Sequence, residues 1–207
     1  MIFHETNFLT ESEFNKLSVK TEYLYRLAKL EDGIKVLEEY DKTLGPEQGI
    51  YNKEISRQYC KRFRFWCNGD DVWDETVQFF GPDIEQPLIR LKQYLIDKGW
   101  NNIKLSNIWF QYGDQNTEMH RHHDGQIHGA EYKNCFTSMI FVHREWQENW
   151  GGTFHIDSVD TINDTTSFVS EPNSLLMWNR DHPHWMAPII RDDIPLRMFL
   201  GMSWYEK

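Results

Sequence analysis

Two histidines and one aspartate in this chain have the types and spacing of a mononuclear metal site. His122 and Asp124 are two residues apart, and on an extended strand such side chains point to the same face of the sheet. His184, from a distant segment, would complete a set of two imidazoles and one carboxylate, which holds Fe(II) on one side and leaves its other coordination positions open. The pattern predicts an iron centre with positions left for reactants.

Short strands separated by turn residues fill residues 104–207, and these strands must position the metal donors. Turns are indicated at Gly113-Asp114, Pro172-Asn173 and Asp192-Asp193. About eight strands in such a length are typical of a double-stranded β-helix, the jelly roll of cupin-like proteins. The predicted strands are 104–112, 119–124, 135–143, 152–157, 166–169, 174–178, 184–190 and 196–205.

Residues 1–103 indicate a helix-rich support for that core. A capping-box pattern precedes a short helix over 10–21, and an interrupted three-to-four period predicts a broken helix over 22–41. A clearer apolar stripe predicts an amphipathic helix that becomes regular near Pro87 and stops at Gly99. We expect the helices to pack outside one sheet, within a single domain of 207 residues.

Two further segments of this first half predict a strand and a loop. Residues 58–67 alternate between polar and aromatic side chains, which predicts a strand. Residues 42–56 are polar and contain two glycines, which predicts a mobile loop. We expect this loop to close over the iron centre.

Composition limits the partners and the compartment. Acidic and basic residues number 32 and 22, and the net charge of -10 argues against a large contact with duplex nucleic acid. The N-terminus lacks a signal-peptide pattern, and no apolar run is long enough to cross a membrane. Three cysteines without paired or zinc-like spacing indicate free thiols. We expect a cytoplasmic protein without a membrane partner, and its oligomeric state stays open.

An ordered series of motifs resembles the 2-oxoglutarate and Fe(II)-dependent dioxygenases, and within them the prolyl-hydroxylase-type branch. The motifs are Tyr112-Gly113, His122-x-Asp124, Trp150-Gly-Gly-Thr-Phe154, His184-x-x-x-Pro188 and Arg197 before an apolar segment. The resemblance implies Fe(II) bound by His122, Asp124 and His184. It also implies 2-oxoglutarate and O2 as co-substrates, with ascorbate as a stimulant.

The resemblance further implies that Arg197 binds the distal carboxylate of 2-oxoglutarate. A guanidinium group matches a carboxylate with two parallel hydrogen bonds and stays charged at any working pH. Arg191 is the competing anchor, but its neighbours Asp192 and Asp193 can neutralise it. We therefore favour Arg197.

One departure from the family concerns the co-substrate pocket. The branch often carries a tyrosine where this chain has Ile140 and Phe141, so another polar group must help to hold 2-oxoglutarate. Tyr112 is the first candidate because its strand leads toward the metal pair, although a tyrosine at the edge of a core is an equally good interpretation. Thr137 and Ser138 are the alternatives.

The remaining histidines and tryptophans have weaker signals. Strand alternation places His120 on the side of the metal pair, as a pocket residue, and turns His123 away. His155 follows the glycine pair and is a minor pocket candidate. Trp178 and Trp185 flank the distal ligand and could bound a pocket, but tryptophans of this kind first predict core packing.

The resemblance implies hydroxylation of an unactivated C–H bond with release of succinate and CO2. A prolyl or other residue of a peptide or protein is the expected substrate, and a free amino acid or small metabolite is the alternative. Asp124 favours hydroxylation over halogenation, which needs that position vacant. The rival classes are a non-catalytic cupin-like metal-binding module and a hydrolase that uses another metal.

Overall fold

A computed structural model describes residues 1–29, 48–55, 60–67, 73–124, 134–159 and 164–206. Within these ranges the chain forms three α-helices, and the helices are α1 (Glu11–Lys29), α2 (Trp73–Phe80) and α3 (Pro82–Asp97). A short 3₁₀ helix covers Glu148–Trp150. The strands in the same ranges are β1 (Ile2–Glu5), β2 (Gln48–Ile55), β3 (Cys60–Cys67), β4 (Ile103–Gly113), β5 (Met119–His122), β6 (Asn134–Phe141), β7 (Phe154–Asp157), β8 (Thr165–Phe168), β9 (Leu175–Asn179), β10 (His184–Met186) and β11 (Arg197–Glu206).

The strands form two antiparallel sheets. The large sheet has the order β1-β9-β6-β11-β4-β3-β2, and the small sheet has the order β5-β10-β7-β8. Strands that are far apart in sequence therefore lie side by side in both sheets, as in jelly rolls. The predicted mainly β fold with flanking helices is confirmed.

Helices α1 and α3 pack on the outer face of the large sheet. Leu17 of α1 and Leu88 of α3 are fully buried in one apolar cluster with Phe110, Leu200 and Met202 of the sheet. Burying each such side chain contributes about 1.5–3 kcal/mol. None of the described helices is both long and apolar enough to span a membrane.

A second apolar cluster fills the space between the two sheets. Phe199 faces this inner layer, whereas its neighbour Leu200 faces the helices, because side chains alternate along a strand. Strand β11 is thus buried on both faces. Gly201, also on the inner side, lies against Trp109 so closely that an added Cβ would overlap the indole ring.

The prediction of a loop over 42–56 is wrong for the part that forms β2. This strand pairs with β3 from Gln48, opposite Cys67, to Ile55, opposite Cys60. Pairing with β3 along the whole strand outweighs the polar composition of β2, since strand propensity depends on context. Residues 42–47 and 56 lie outside the described residues, so closure over the site stays a prediction.

The helices also differ from the prediction. Helix α1 runs without a break to Lys29, and residues 30–41 lie outside the described part of the chain. Helix α3 begins at Pro82 and contains Pro87, which is buried one turn inside it. A proline so close to the start removes one hydrogen bond, to the carbonyl of Asp83, and the helix continues through it. Helix α2 has no counterpart in the predicted elements.

Candidate metal centre

The three predicted metal donors lie together between the sheets. His122 ends β5 and His184 begins β10, where the two residues are directly opposite each other. Asp124 follows β5 by two residues. Ligand atoms of all three lie within 4.8 Å of one another. Among the described residues, no other group of three histidine, cysteine or acidic side chains lies close enough together to hold a metal ion.

Backbone carbonyl groups orient both imidazole rings. His122 Nδ1 lies 2.7 Å from the carbonyl oxygen of His120, and His184 Nδ1 lies 3.0 Å from that of His182. A carbonyl can only accept, so each Nδ1 carries the proton and each Nε2 keeps its lone pair. Both Nε2 atoms face Asp124 Oδ1, at 3.9 Å from His122 and 3.8 Å from His184.

Both distances from Nε2 to Asp124 Oδ1 are within reach of one shared ion. Donors about 2.1 Å from an ion are about 3.0 Å apart when adjacent on an octahedron and about 4.2 Å apart when opposite, so the two distances lie between these limits and adjacent positions require the side chains to move closer. Burial lowers the pKa of His184, which keeps the imidazole neutral, although Asp124 acts in the opposite direction. Two neutral imidazoles and one carboxylate are the donor set of mononuclear Fe(II) sites.

Asp124 is held in place by two side chains. The hydroxyl of Thr137 donates to Asp124 Oδ2 at 2.7 Å, and Nη2 of Arg180 donates to the Asp124 carbonyl oxygen at 2.9 Å. Burial alone would raise the pKa of Asp124, but His184, Arg180 and Thr137 outweigh it, so the pKa lies below its usual range. With Oδ2 occupied by Thr137, Oδ1 is the oxygen directed to the metal position.

The other histidines with sequence signals stay outside the donor cluster. His120 is exposed and contacts Glu118, and His123 is exposed as well. His155 lies on the outer face of the small sheet, where its ring stacks on Trp185 at 5.0 Å. Trp178 differs from Trp185, since its ring lies 4.9 Å from that of His184 in the inner layer.

Arg197 lies in the inner layer and is 2% exposed. Its Nε donates to the hydroxyl of Ser170 at 2.8 Å. The guanidinium carbon lies 4.9 Å from the ring centre of Phe141 and 5.3 Å from that of Phe199. Arg191 is exposed and forms an ion pair with Asp193, so of the two arginines only Arg197 points into the space between the sheets.

The register of the paired strands determines which of the candidate hydroxyl groups face the space between the two sheets. Tyr112 pairs with Met198, packs edge-on against Tyr25 at 4.5 Å and belongs to the helix-side cluster, so the structure does not bring it to the metal donors. Ser138 accepts a hydrogen bond from Trp204, which is also in the helix-side cluster. Of the three candidate hydroxyls, Thr137 is the one that reaches the centre.

Asn107, Ser203 and Arg180, three polar residues near the centre, were missed by the sequence reasoning, whereas Thr137 and Trp178 were candidates. Asn107, Ser203, Thr137 and Trp178 form one row across β4, β11, β6 and β9, on the side that faces the metal donors. Asn107 Oδ1 and Trp178 Nε1 are buried without a hydrogen-bond partner in the described part of the chain. Arg180 Nη1 donates to Ser203 Oγ at 2.6 Å. The sequence did contain a signal for Asn107, because it is a polar residue within the mostly apolar strand β4.

Comparison with known proteins agrees with this geometry. Residues 108–205 match the family model of the 2OG-Fe(II) oxygenase superfamily. No curated protein matches the chain. The matched segment contains the three donors and Arg197, so this part of the chain is similar to the 2OG-Fe(II) oxygenase superfamily. The match and the donor set together indicate an Fe(II)- and 2-oxoglutarate-dependent oxygenase that uses O2.

Solved structures share its fold at low sequence identity. A prolyl-4-hydroxylase from Pseudomonas putida has a TM-score of 0.60 and 13% identity, over 100% of this chain and 92% of that one. A prolyl hydroxylase from Trichoplax adhaerens, in complex with a hypoxia inducible factor peptide fragment, has a TM-score of 0.61 and 14% identity, over 99% and 82%. HygX from Streptomyces hygroscopicus, with nickel and 2-oxoglutarate bound, has a TM-score of 0.61 and 8% identity, over 100% and 83%.

Proposed function

We propose that this enzyme hydroxylates an unactivated C–H bond of a prolyl or other residue in a peptide or protein, with release of succinate and CO2. The observation that carries the proposal is the placement of a histidine, aspartate and histidine cluster and a buried arginine in one inner layer. The first could hold a metal, and the second could hold a dicarboxylate. A binding module without turnover would not require the second group.

The proposed roles follow from the side-chain chemistry. His122, Asp124 and His184 hold Fe(II), and Arg197 receives the distal carboxylate of 2-oxoglutarate. Bound iron with 2-oxoglutarate supplies O2 activation coupled to oxidative decarboxylation, and so the oxygen atom that enters the substrate. Because Thr137 donates to Asp124 Oδ2, the carboxylate would bind the metal through Oδ1 alone, which leaves coordination positions for co-substrates. The rings of Phe141 and Phe199 exclude water beside Arg197.

A peptide is the favoured substrate class for two reasons. One neighbour of similar fold is described as a complex with a peptide fragment, and another is a prolyl-4-hydroxylase. The row beside the metal also offers Asn107 Oδ1 as a buried acceptor, and an unpaired buried acceptor is costly unless a ligand satisfies it. A backbone N–H group of a peptide would do so.

A free amino acid or small metabolite is the second candidate substrate. It is favoured by a neighbour described as an epimerase from nogalamycin biosynthesis, with a TM-score of 0.61 and 8% identity. The same polar row could bind a small polar molecule. In both cases we propose one catalytic domain over residues 1–207 and, from the cysteine content, a cytoplasmic location.

Mass spectrometry of a peptide and metabolite library tests the proposal. The protein is incubated with Fe(II), 2-oxoglutarate and ascorbate, and we expect one class of compound to gain one oxygen atom while succinate forms. His184→Ala is the inactive control. Metal binding without succinate under any mixture would support the cupin-like module instead. Product formation under anaerobic conditions would support a hydrolase.

A further inference from the structure

We propose that Ser170 and His143 are positioning residues, which hold the Arg197 guanidinium in the orientation that receives the distal carboxylate of 2-oxoglutarate. This inference rests on the role proposed above for Arg197. It also accounts for how the pocket works with Phe141 on the strand where related enzymes often carry a tyrosine.

The hydroxyl of Ser170 has a defined direction. It donates its single hydrogen to the carbonyl oxygen of Gly152 at 3.0 Å, so its lone pairs face the Arg197 Nε–H, 2.8 Å away. Ser170 is completely buried and Arg197 nearly so. Water therefore has no access to replace this acceptor if it is removed.

His143 fixes the distance between the two residues that make this hydrogen bond. The backbone N–H of Met198, next to Arg197, donates to His143 Nδ1 at 3.1 Å. Nε2 lies 2.6 Å from the carbonyl oxygen of Ser170, which can only accept, so Nε2 carries the proton and donates. In the neutral ring Nδ1 is then the acceptor, although it also lies 3.0 Å from the Met198 carbonyl oxygen. One buried imidazole thus ties the backbone beside Arg197 to the backbone of Ser170.

Gly152 packs against the aliphatic part of the Arg197 side chain and limits where it can lie. Gly152 has a φ of +69°, and an added Cβ would lie 3.2 Å from Arg197 Cδ and 3.1 Å from the ring of Trp146. A side chain at position 152 would displace Arg197 from this position. The Trp146 Nε1 group donates to the carbonyl oxygen of Gly151 at 3.0 Å, which holds the same segment in place.

These contacts aim the arginine. Since Nε is directed to Ser170, a carboxylate that binds Arg197 with two hydrogen bonds would meet the edge formed by Nη1 and Nη2. The aromatic rings of Phe141 and Phe199 line the guanidinium without competing for hydrogen bonds. The co-substrate thus meets a cation whose direction is set before binding.

Calorimetric titration of 2-oxoglutarate into the Fe(II)-loaded protein without O2 tests the inference. We expect Ser170→Ala to raise the dissociation constant about tenfold, as for the loss of a hydrogen bond to a charged group. The matched control is Ser174→Ala. Ser174 is an equally buried serine that bonds to the Glu171 carbonyl at 2.7 Å, and its loss should leave binding unchanged.

A second ligand separates positioning from general damage. 2-Oxopentanoate has the same 2-oxo acid group and chain length but a methyl group in place of the distal carboxylate. Its weak affinity should be equal for the parent protein and Ser170→Ala. In turnover assays, Ser170→Ala should raise the KM for 2-oxoglutarate while kcat at saturation is kept, and Ser170→Thr should restore the KM.

His143 is tested by two substitutions. His143→Phe keeps a ring but removes both hydrogen bonds, and we expect it to weaken 2-oxoglutarate binding at least as much as Ser170→Ala. His143→Gln keeps a donor and an acceptor and should recover part of the affinity. Thermal melting checks that each variant is folded, and a variant that fails leaves Ser170→Ala to decide.

The outcomes distinguish this inference from the proposed function. Parent-like 2-oxoglutarate binding by Ser170→Ala, together with loss of binding by Arg197→Met, would overturn the positioning role alone. Equal losses for Ser170→Ala and Ser174→Ala would overturn it too, as would equal losses for 2-oxoglutarate and 2-oxopentanoate. Absence of 2-oxoglutarate binding by the parent protein would overturn both.

Discussion

The metal centre and the Arg197 pocket occupy the same layer but are built in opposite ways. At the metal centre, the side chains of His122 and Asp124 are 30% and 24% exposed, and His184 is the one closed donor, at 3%. In the arginine pocket, Arg197 is 2% exposed, and His143 and Ser170 are completely buried. One region is partly open to solvent and the other is sealed.

The charges of the two regions differ as well. Asp124 is surrounded by groups that favour its ionised form, among them His184 and Arg180. Arg197 donates to the hydroxyl of Ser170 and lies beside the aromatic rings of Phe141 and Phe199. Under the proposed function, an ion and a substrate enter and leave the first region, whereas the second fixes one end of the co-substrate. Openness and rigidity are therefore divided between two neighbouring sites.

Removal of a metal donor should have the largest effect, and only on the open region. For Asp124→Ala we expect loss of bound Fe(II) and a fall in succinate formation of more than about 100-fold, beyond the 10–100-fold typical of residues that only support a ligand. Iron content and succinate are measured together. Asp157→Asn, at a surface aspartate bound by Arg121, is the control, and iron retention by Asp124→Ala would refute the assignment.

Substitution of the anchor should damage the sealed region alone. We expect Arg197→Met to raise the KM for 2-oxoglutarate about 100-fold, because a two-pronged, charged contact is lost. Its iron content should equal that of the parent protein. Arg191→Met, at the exposed arginine paired with Asp193, should change neither quantity. A normal KM in Arg197→Met would break the comparison.

A smaller effect is expected from substitution of a residue that holds a metal donor in place without binding the metal. Thr137→Val keeps the shape of the side chain and removes the hydrogen bond to Asp124 Oδ2, so Fe(II) affinity should fall about tenfold. Competition with a metal chelator measures this change. Ser138→Ala removes a hydrogen bond on the opposite face of β6 and should leave Fe(II) affinity unaltered.

The pH dependence of stability should report on the sealed region. Burial is the main cause that lowers the pKa of His143 to about 4, and nearby Arg197 acts in the same direction. Below pH 6.5 the imidazole of His143 binds a proton in the unfolded state but stays neutral in the folded state. The contribution of His143 to the free energy of unfolding is therefore fully present above pH 6.5 and is lost as the pH falls toward 4. From pH 7 to 5.5 we expect a loss of about 1 kcal/mol.

Urea denaturation of the iron-loaded protein at both pH values measures that loss. The comparison is with His143→Gln, which has no imidazole at this position and should lack the corresponding part of the decrease. Identical pH dependence in the two proteins would show that His143 does not stay neutral on folding.

The clustering of the three candidate metal donors could be predicted because their signal is local. His122 and Asp124 form a two-residue motif, and a jelly roll brings a distant strand beside it, where His184 lies. Which polar side chain of β4 faces the candidate centre could not be predicted in the same way. Tyr112 and Gly113 lie on opposite faces of β4, and only the pairing of Gly113 with Arg197 shows which face is inward. A shift of one residue in register reverses every such assignment.

Ser170, His143 and Arg180 were missed for a related reason. Each acts through a hydrogen bond to a residue more than twenty positions away, such as Ser170 with Arg197. No spacing in the sequence encodes such a contact. The strand β2 was missed because its partner strand, rather than its own composition, determines its structure.

The short strand β1 has a consequence for how the folded molecule behaves in solution. It pairs with β9 over its whole length, from Ile2 opposite Trp178 to Glu5 opposite Leu175. Without it, β9 would be an edge strand of four consecutive apolar residues with an unpaired backbone, and such edges promote aggregation. Four residues at the beginning of the chain therefore protect the strand that carries Trp178 from association with other molecules.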